Sequence, residues 1–185
     1  MPSLLVRSGS NWVPEKGIYV MQGGSWQQKM GYVYVNGRWV PLSGNVIYME
    51  GYEAVRLIVE RNSTSRVVCE RRSDHLYMWA VGSLLKSGKG GFRTSSPIDL
   101  TPFTQIRVFW RSTGHRTSNN ESRLLVQNSS ATSLIRRFVR EGVFDWREDR
   151  LDISDLRGLH HIAVENYIWG NNNQAELWVR QIYLV

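Results

Sequence analysis

From Tyr52 onward the chain is written in short runs that alternate apolar with polar residues or are rich in β-branched and aromatic ones. Such runs at residues 52–60, 66–71, 76–81, 105–111, 122–127, 160–168 and 175–184 predict strands. Ile106, Val108 and Trp110 fall on one face of their run, and Arg107, Phe109 and Arg111 on the other. Between the runs lie segments rich in Gly and Asn, at 86–91, 113–120 and 170–173, which suit the left-handed backbone of tight turns. Residues 134–141 are the ambiguous piece. Leu134, Ile135, Phe138 and Val139 fit a helical face, but the neighbours favour a strand, and strand is the assignment made. Many short strands with no long helix predict an all-β chain, an antiparallel β-sandwich of jelly-roll type, over residues 50–185.

Residues 1–49 are of a different kind. Three related units, at 10–20, 24–35 and 37–49, each place a Trp ahead of a turn and a Tyr-bearing apolar strand. Trp12, Trp26 and Trp39 stand 14 and 13 residues apart. Asn36-Gly37 between two apolar runs is a hairpin signal, because both residues accept the positive φ of a type I′ turn. Repetition at fixed spacing predicts small β-hairpin units that form an arm over residues 1–49, extended, mobile or folded against a partner. The three Trp are the candidates for docking that partner.

Composition removes several classes. One cysteine, Cys69, excludes an intramolecular disulfide and a multi-cysteine zinc site. Apolar stretches of only a few residues predict no membrane insertion. The first residues lack the basic start and sustained apolar core of a secretory signal, so the expectation is synthesis in a cytoplasm without signal-peptide export. The net charge of +7 comes from 19 Arg and 4 Lys against 16 acids. The cations are scattered singly along strands and divide between both regions, which argues against a nucleic-acid partner. Lys86 to Gly91 is glycine-rich without the spacing of a phosphate loop.

No catalytic, metal or cofactor site is expected. The acids Asp145, Glu148, Asp149, Asp152 and Asp155 cluster, but Arg140, Arg147, Arg150, Arg157 and Arg180 are within reach to neutralise them. Asp152 and Ser154 read as turn residues bonding local backbone N–H groups. His160 and His161 are adjacent in a strand and point to opposite faces. Cys69 reads as a small buried residue. The aromatics carry more. Trp and Tyr rings pack on the C–H faces of sugars, with amides and guanidinium groups bonding the hydroxyls. Trp169 heads a loop with Asn171, Asn172 and Asn173, and Trp146 lies in an acidic, loop-like segment. These five residues are the candidates for glycan contact. Trp79, Trp110 and Trp178 lie in strands and are assigned to the core or half-core.

Three segments in order carry a resemblance: residues 98–108 (Ile-Asp-Leu-Thr-Pro-Phe-Thr-Gln-Ile-Arg-Val), 151–158 (Leu-Asp-Ile-Ser-Asp-Leu-Arg-Gly) and the closing run 174–184. They resemble strand elements of carbohydrate-binding-module-like β-sandwiches, such as occur in tail-tip and baseplate proteins of long-tailed bacteriophages of Gram-positive hosts. The N-terminal Trp repeats are similar to short repeats of the same tail proteins. The resemblance implies a non-catalytic virion protein of the phage tail. Its sandwich would recognise a host-surface glycan or receptor, or, in the alternative, serve as a purely structural component. It implies other tail or baseplate proteins as partners and host cell-wall polysaccharide as a second one. One departure stands out: the sequence has no clear acidic calcium site of the sort some carbohydrate-binding modules carry.

Overall fold

The computed structural model describes residues 46–61, 66–82, 87–114, 120–170 and 173–185 with their side chains, and the backbone of six strands nearer the N-terminus. Those six are β1 (Leu5–Ser8), β2 (Asn11–Pro14), β3 (Ile18–Gln22), β4 (Ser25–Lys29), β5 (Tyr32–Val35) and β6 (Arg38–Pro41). They pair as three separate antiparallel hairpins, β1–β2, β3–β4 and β5–β6. Val35 sits opposite Arg38, so β5 and β6 are joined by two residues, as Asn36-Gly37 predicts. Each hairpin ends on the Trp-bearing strand, which pairs with the apolar strand before it rather than the one after it. The side chains of Trp12, Trp26 and Trp39, and the whole of Asn171 and Asn172, lie outside the described residues.

The chain forms two compact units, residues 1–46 and 47–185. In the larger unit the strands are β7 (Val46–Met49), β8 (Tyr52–Glu53), β9 (Leu57–Arg61), β10 (Val67–Arg71), β11 (Leu76–Val81), β12 (Gly88–Thr94), β13 (Ile98–Asp99), β14 (Gln105–Gly114), β15 (Asn120–Gln127), β16 (Leu134–Glu141), β17 (Phe144–Asp152), β18 (Leu159–Ile168) and β19 (Gln174–Leu184). They build two antiparallel sheets. One runs β10-β11-β19-β14-β17, with β7 also on β19 and β8 on β7; the other runs β16-β15-β18-β12-β9, with β13 on β18. The expected all-β sandwich is therefore the fold. Among the described residues no helix is long and apolar enough to cross a membrane.

The core lies between the sheets and follows from period-2 alternation. Leu76, Met78, Ile106, Val108, Trp110, Leu177 and Val179 point inward from one sheet, and Phe92, Leu124, Val126, Ile162 and Val164 from the other, all buried. Residues 134–141 form strand β16, and its pairing to β15 overrides the helical spacing.

Three readings are corrected. Residues 88–91 are not a turn but the start of β12. A Cβ on Gly90 would come within 2.2 Å of Val67 Cγ1, and one on Gly91 within 2.3 Å of the Val164 carbonyl oxygen, so close approach explains these glycines. Residues 144–152 are not loop-like but a nine-residue strand, β17. Val46 to Met49, placed in the third repeat on sequence, form a fully buried strand of the larger sheet. It turns into β8 through Glu50 and Gly51, whose φ values of 45° and 88° are both positive, as a two-residue type I′ hairpin turn requires.

Candidate functional site

The face of the β10–β17 sheet turned away from the core is unusually aromatic. Successive cross-strand rows can be read from the register. Trp79 of β11 lies opposite Glu176 of β19, which lies opposite Thr113 of β14. In the next row Tyr77 lies opposite Trp178, which lies opposite Arg111. Beyond it come Gln181, Phe109 and Glu148, then Tyr183, Arg107 and Arg150. This face exists because β11 is apolar on both sides, with Leu76, Met78 and Ala80 entering the core while Tyr77, Trp79 and Val81 stay half-buried outside, and because β19 adds Trp178 and Tyr183 to the same outer face.

Trp79, Thr113, Gly114, Gln174 and Glu176 line a cleft of about 300 Å³ at one end of this face. Glu176 is held by two hydroxyls: Tyr77 donates to Oε1 at 3.0 Å and Thr113 to Oε2 at 3.1 Å. Burial, aided by this bond to Glu176, pushes the Tyr77 phenol up to about 12. The Tyr77 and Trp178 rings meet at 5.6 Å and 53°, and the Arg72 and Arg111 guanidinium groups lie over Tyr77 and Trp178 at 3.9 and 5.2 Å. The cleft therefore offers the Trp79 ring beside a carboxylate, an amide and a hydroxyl, with the Tyr77 and Trp178 rings and their cationic planes in the adjoining row.

The sequence candidates distribute themselves unevenly about it. Trp169, 54% exposed, follows β18 directly. Its backbone abuts Gly82, three residues beyond Trp79, since a Cβ on Gly82 would lie 3.2 Å from the Trp169 Cα. Trp169 thus stands at the cleft end of the sheet. Asn173 is buried: its Nδ2 donates to the Trp169 carbonyl at 2.9 Å and its own carbonyl accepts from Gly82 N–H at 2.8 Å. It closes the loop. Trp146 belongs to the same outer face but to the far strand, stacked on Phe109 at 5.4 Å with Arg180 over its ring at 4.4 Å. Of the strand Trp assigned to the core or half-core, Trp110 is fully buried, whereas Trp79 and Trp178 are the half-exposed rings of this outer face.

The acidic cluster is dispersed. Glu148 faces outward, accepting from Arg107 and from the Tyr183 hydroxyl. Asp149 faces inward and is buried, accepting two bonds from Arg140, at 2.5 and 2.6 Å, and one from Trp110 Nε1 at 2.9 Å. Burial works to raise this carboxyl, but those bonds outweigh it and hold it below the usual carboxylate range. Asp155 pairs bidentately with Arg136, at 2.6 and 2.7 Å, and Asp152 accepts the Ser154 N–H, the local turn bond expected. Arg140 and Arg147 serve Asp149, while Arg157 bonds backbone carbonyls and Arg180 reaches Asp74. His161 is buried against the Thr94 carbonyl, and its neighbour His160 bonds the Gly158 carbonyl from the other face. Burial pushes the half-buried Cys69 thiol up to about 11, which makes it a poor nucleophile. Among the described residues no three His, Cys, Asp or Glu are grouped to hold a metal.

No protein-family model matches the chain, and no curated protein matches it. Solved structures do share the fold. It is similar to a structure from work on the promiscuous specificity of carbohydrate-binding modules of the β-sandwich superfamily. There the TM-score is 0.55 and the identity 11%, over 95% of this chain and 89% of the other. It is also similar to the family 11 carbohydrate-binding module of Clostridium thermocellum in complex with a β-1,3-1,4-mixed-linked tetrasaccharide. That TM-score is 0.51 and the identity 12%, over 75% and 94% of the two chains. At these identities the likeness is one of fold.

Proposed function

We propose that the chain is a non-catalytic glycan-binding protein whose contact surface is the outer face of the β10–β17 sheet, centred on the Trp79–Glu176 cleft. The observation that carries this reading is the group of half-exposed rings in two adjoining rows, Trp79 in the cleft with a carboxylate, an amide and a hydroxyl, and Tyr77 and Trp178 beside it. Sugar C–H faces pack on such rings, and sugar hydroxyls, both donors and acceptors, are matched by the polar groups between them. Both fold counterparts are carbohydrate-binding modules, one of them holding a tetrasaccharide, which supports the reading.

The biological setting is a virion. On the resemblance of its three segments and its N-terminal repeats, the protein is a tail-tip or baseplate component of a long-tailed phage, assembled in the bacterial cytoplasm. Its sandwich binds host-surface polysaccharide or a surface receptor, and its repeats, through Trp12, Trp26 and Trp39, dock other tail proteins. The test pairs two measurements on the full chain. Calorimetric titration with neutral polysaccharides and with isolated host wall is expected to show binding that Trp79→Ala weakens. Co-purification with phage tails is expected for the wild type and for Trp79→Ala alike. Tail association without glycan binding would overturn the glycan reading and leave a purely structural component.

A further inference from the structure

Directly behind the cleft the sandwich interior is polar. Asn120 and Ser122 of β15 and Asn166 of β18 all point between the sheets with 0% exposure. Ser122 lies opposite Asn166 in the β15–β18 ladder, and Asn120 is the next inward residue along β15. The two amide nitrogens are spent on the opposing sheet and its connections. Asn120 Nδ2 donates to Ser112 Oγ at 2.8 Å and the Gly142 carbonyl at 3.4 Å; Asn166 Nδ2 donates to the Ala175 carbonyl at 2.9 Å and the Met78 carbonyl at 3.3 Å. What remains is Asn120 Oδ1, Ser122 Oγ and Asn166 Oδ1, three buried oxygens with no partner among the described residues. Facing residues in a ladder hold their Cβ atoms about 5 Å apart, and same-face neighbours on a strand stand about 7 Å apart. Asn120, Ser122 and Asn166 are therefore close neighbours on the inner face of one sheet.

The donor set selects the occupant. A calcium ion asks for about 6–8 oxygens, several of them charged, and here there are three neutral ones. Arg140, opposite Ser122 on β16, has its guanidinium committed to Asp149. Two amide oxygens need donors and one hydroxyl needs an acceptor, and a water molecule supplies two hydrogens and a lone pair. We propose that Asn120, Ser122 and Asn166 bind one internal water molecule, with both asparagine Oδ1 atoms accepting its hydrogens and the Ser122 hydroxyl donating to its oxygen. The water completes a polar cross-link between the sheets. Ser112 and Ala175, held by the two asparagines, alternate along their strands with Thr113, Gln174 and Glu176, which line the cleft outside.

Water-proton relaxation dispersion on the full chain, which counts long-lived internal waters, tests the site. Ser122→Val removes the donor and fills its space, and is expected to lose one long-lived water relative to wild type. Ser122→Thr, equal in volume but keeping the hydroxyl, is expected to retain it. Equal counts in all three would overturn the proposal. Should Ser122→Val fail to fold, a high-resolution crystal structure of the wild type decides. A single solvent peak at hydrogen-bond distance from all three oxygens supports the site; a dry interior, or a peak with the short contacts of an ion, overturns it.

Discussion

Two residues concentrate the consequences of this fold. Trp79 is expected to anchor the ligand: truncating such an aromatic costs about 2 kcal/mol or more, so Trp79→Ala should weaken glycan binding about thirtyfold by calorimetry. Its thermal unfolding should stay near that of the wild type, because the ring lies outside the core. Asp149 is the opposite case. It is a buried carboxylate enclosed by Arg140 and Trp110, and Asp149→Asn leaves the Arg140 charge unmatched, at a cost of about 3 kcal/mol in urea unfolding. Its folded pKa is depressed, so its contribution is complete above the unfolded carboxyl value of about 4 and fades as pH falls through the folded one. The asparagine variant should therefore show a shallower loss of stability on acidification. At the alkaline end the sign reverses. Tyr48, Tyr77 and Tyr183 are raised from 10.0 to about 12, first by burial, so the stability they contribute is present below pH 10 and lost as pH rises toward 12. A pH titration of unfolding should show that decline. The sequence could not assign Trp79 to this role because Leu76 to Val81 is apolar at every position, and alternation then has no visible phase.

At the scale of elements, the facing of a strand was legible where one of its sides is polar and not where neither or both are. β14 shows its two faces openly, and Trp110 is buried as that pattern predicts. β17 carries charge on both faces and reads as a loop, yet it is an edge strand whose inward charge, Asp149, is neutralised across the sandwich by Arg140. β12 begins on glycines that read as a turn and serve as clearance. Two glycine turns separate the causes of such constraints. Gly51 has φ +88° and a Cβ there would meet the Ser73 carbonyl oxygen at 2.1 Å, whereas Gly158 has φ +78° and open space around it. Gly158→Ala should cost only the left-handed backbone, about 1–2 kcal/mol, and Gly51→Ala distinctly more. Thermal unfolding of the two variants side by side checks the order, and equal losses would refute the steric account.

For the whole molecule the division between arm and sandwich matters. A boundary at residue 49, as the repeats suggest, cuts away Ile47 and Tyr48, each 1% exposed in the core. A fragment beginning at residue 44 should unfold cooperatively in urea with nearly the stability of the intact sandwich. One beginning at residue 50 should lose about 2 kcal/mol or more for each of those buried side chains. Similar stability in the two fragments would show that β7 is dispensable. The sequence alone was enough for most of the strands and hence the all-β class, because alternation with period 2 and the turn preferences of Gly and Asn act over a few residues. Only the tertiary structure decided which apolar face became the aromatic surface and which polar groups met. Tyr77 and Glu176 are 99 residues apart, Asn166 reaches Met78 across 88, and such partners are chosen by the stacking of sheets, which no local pattern records.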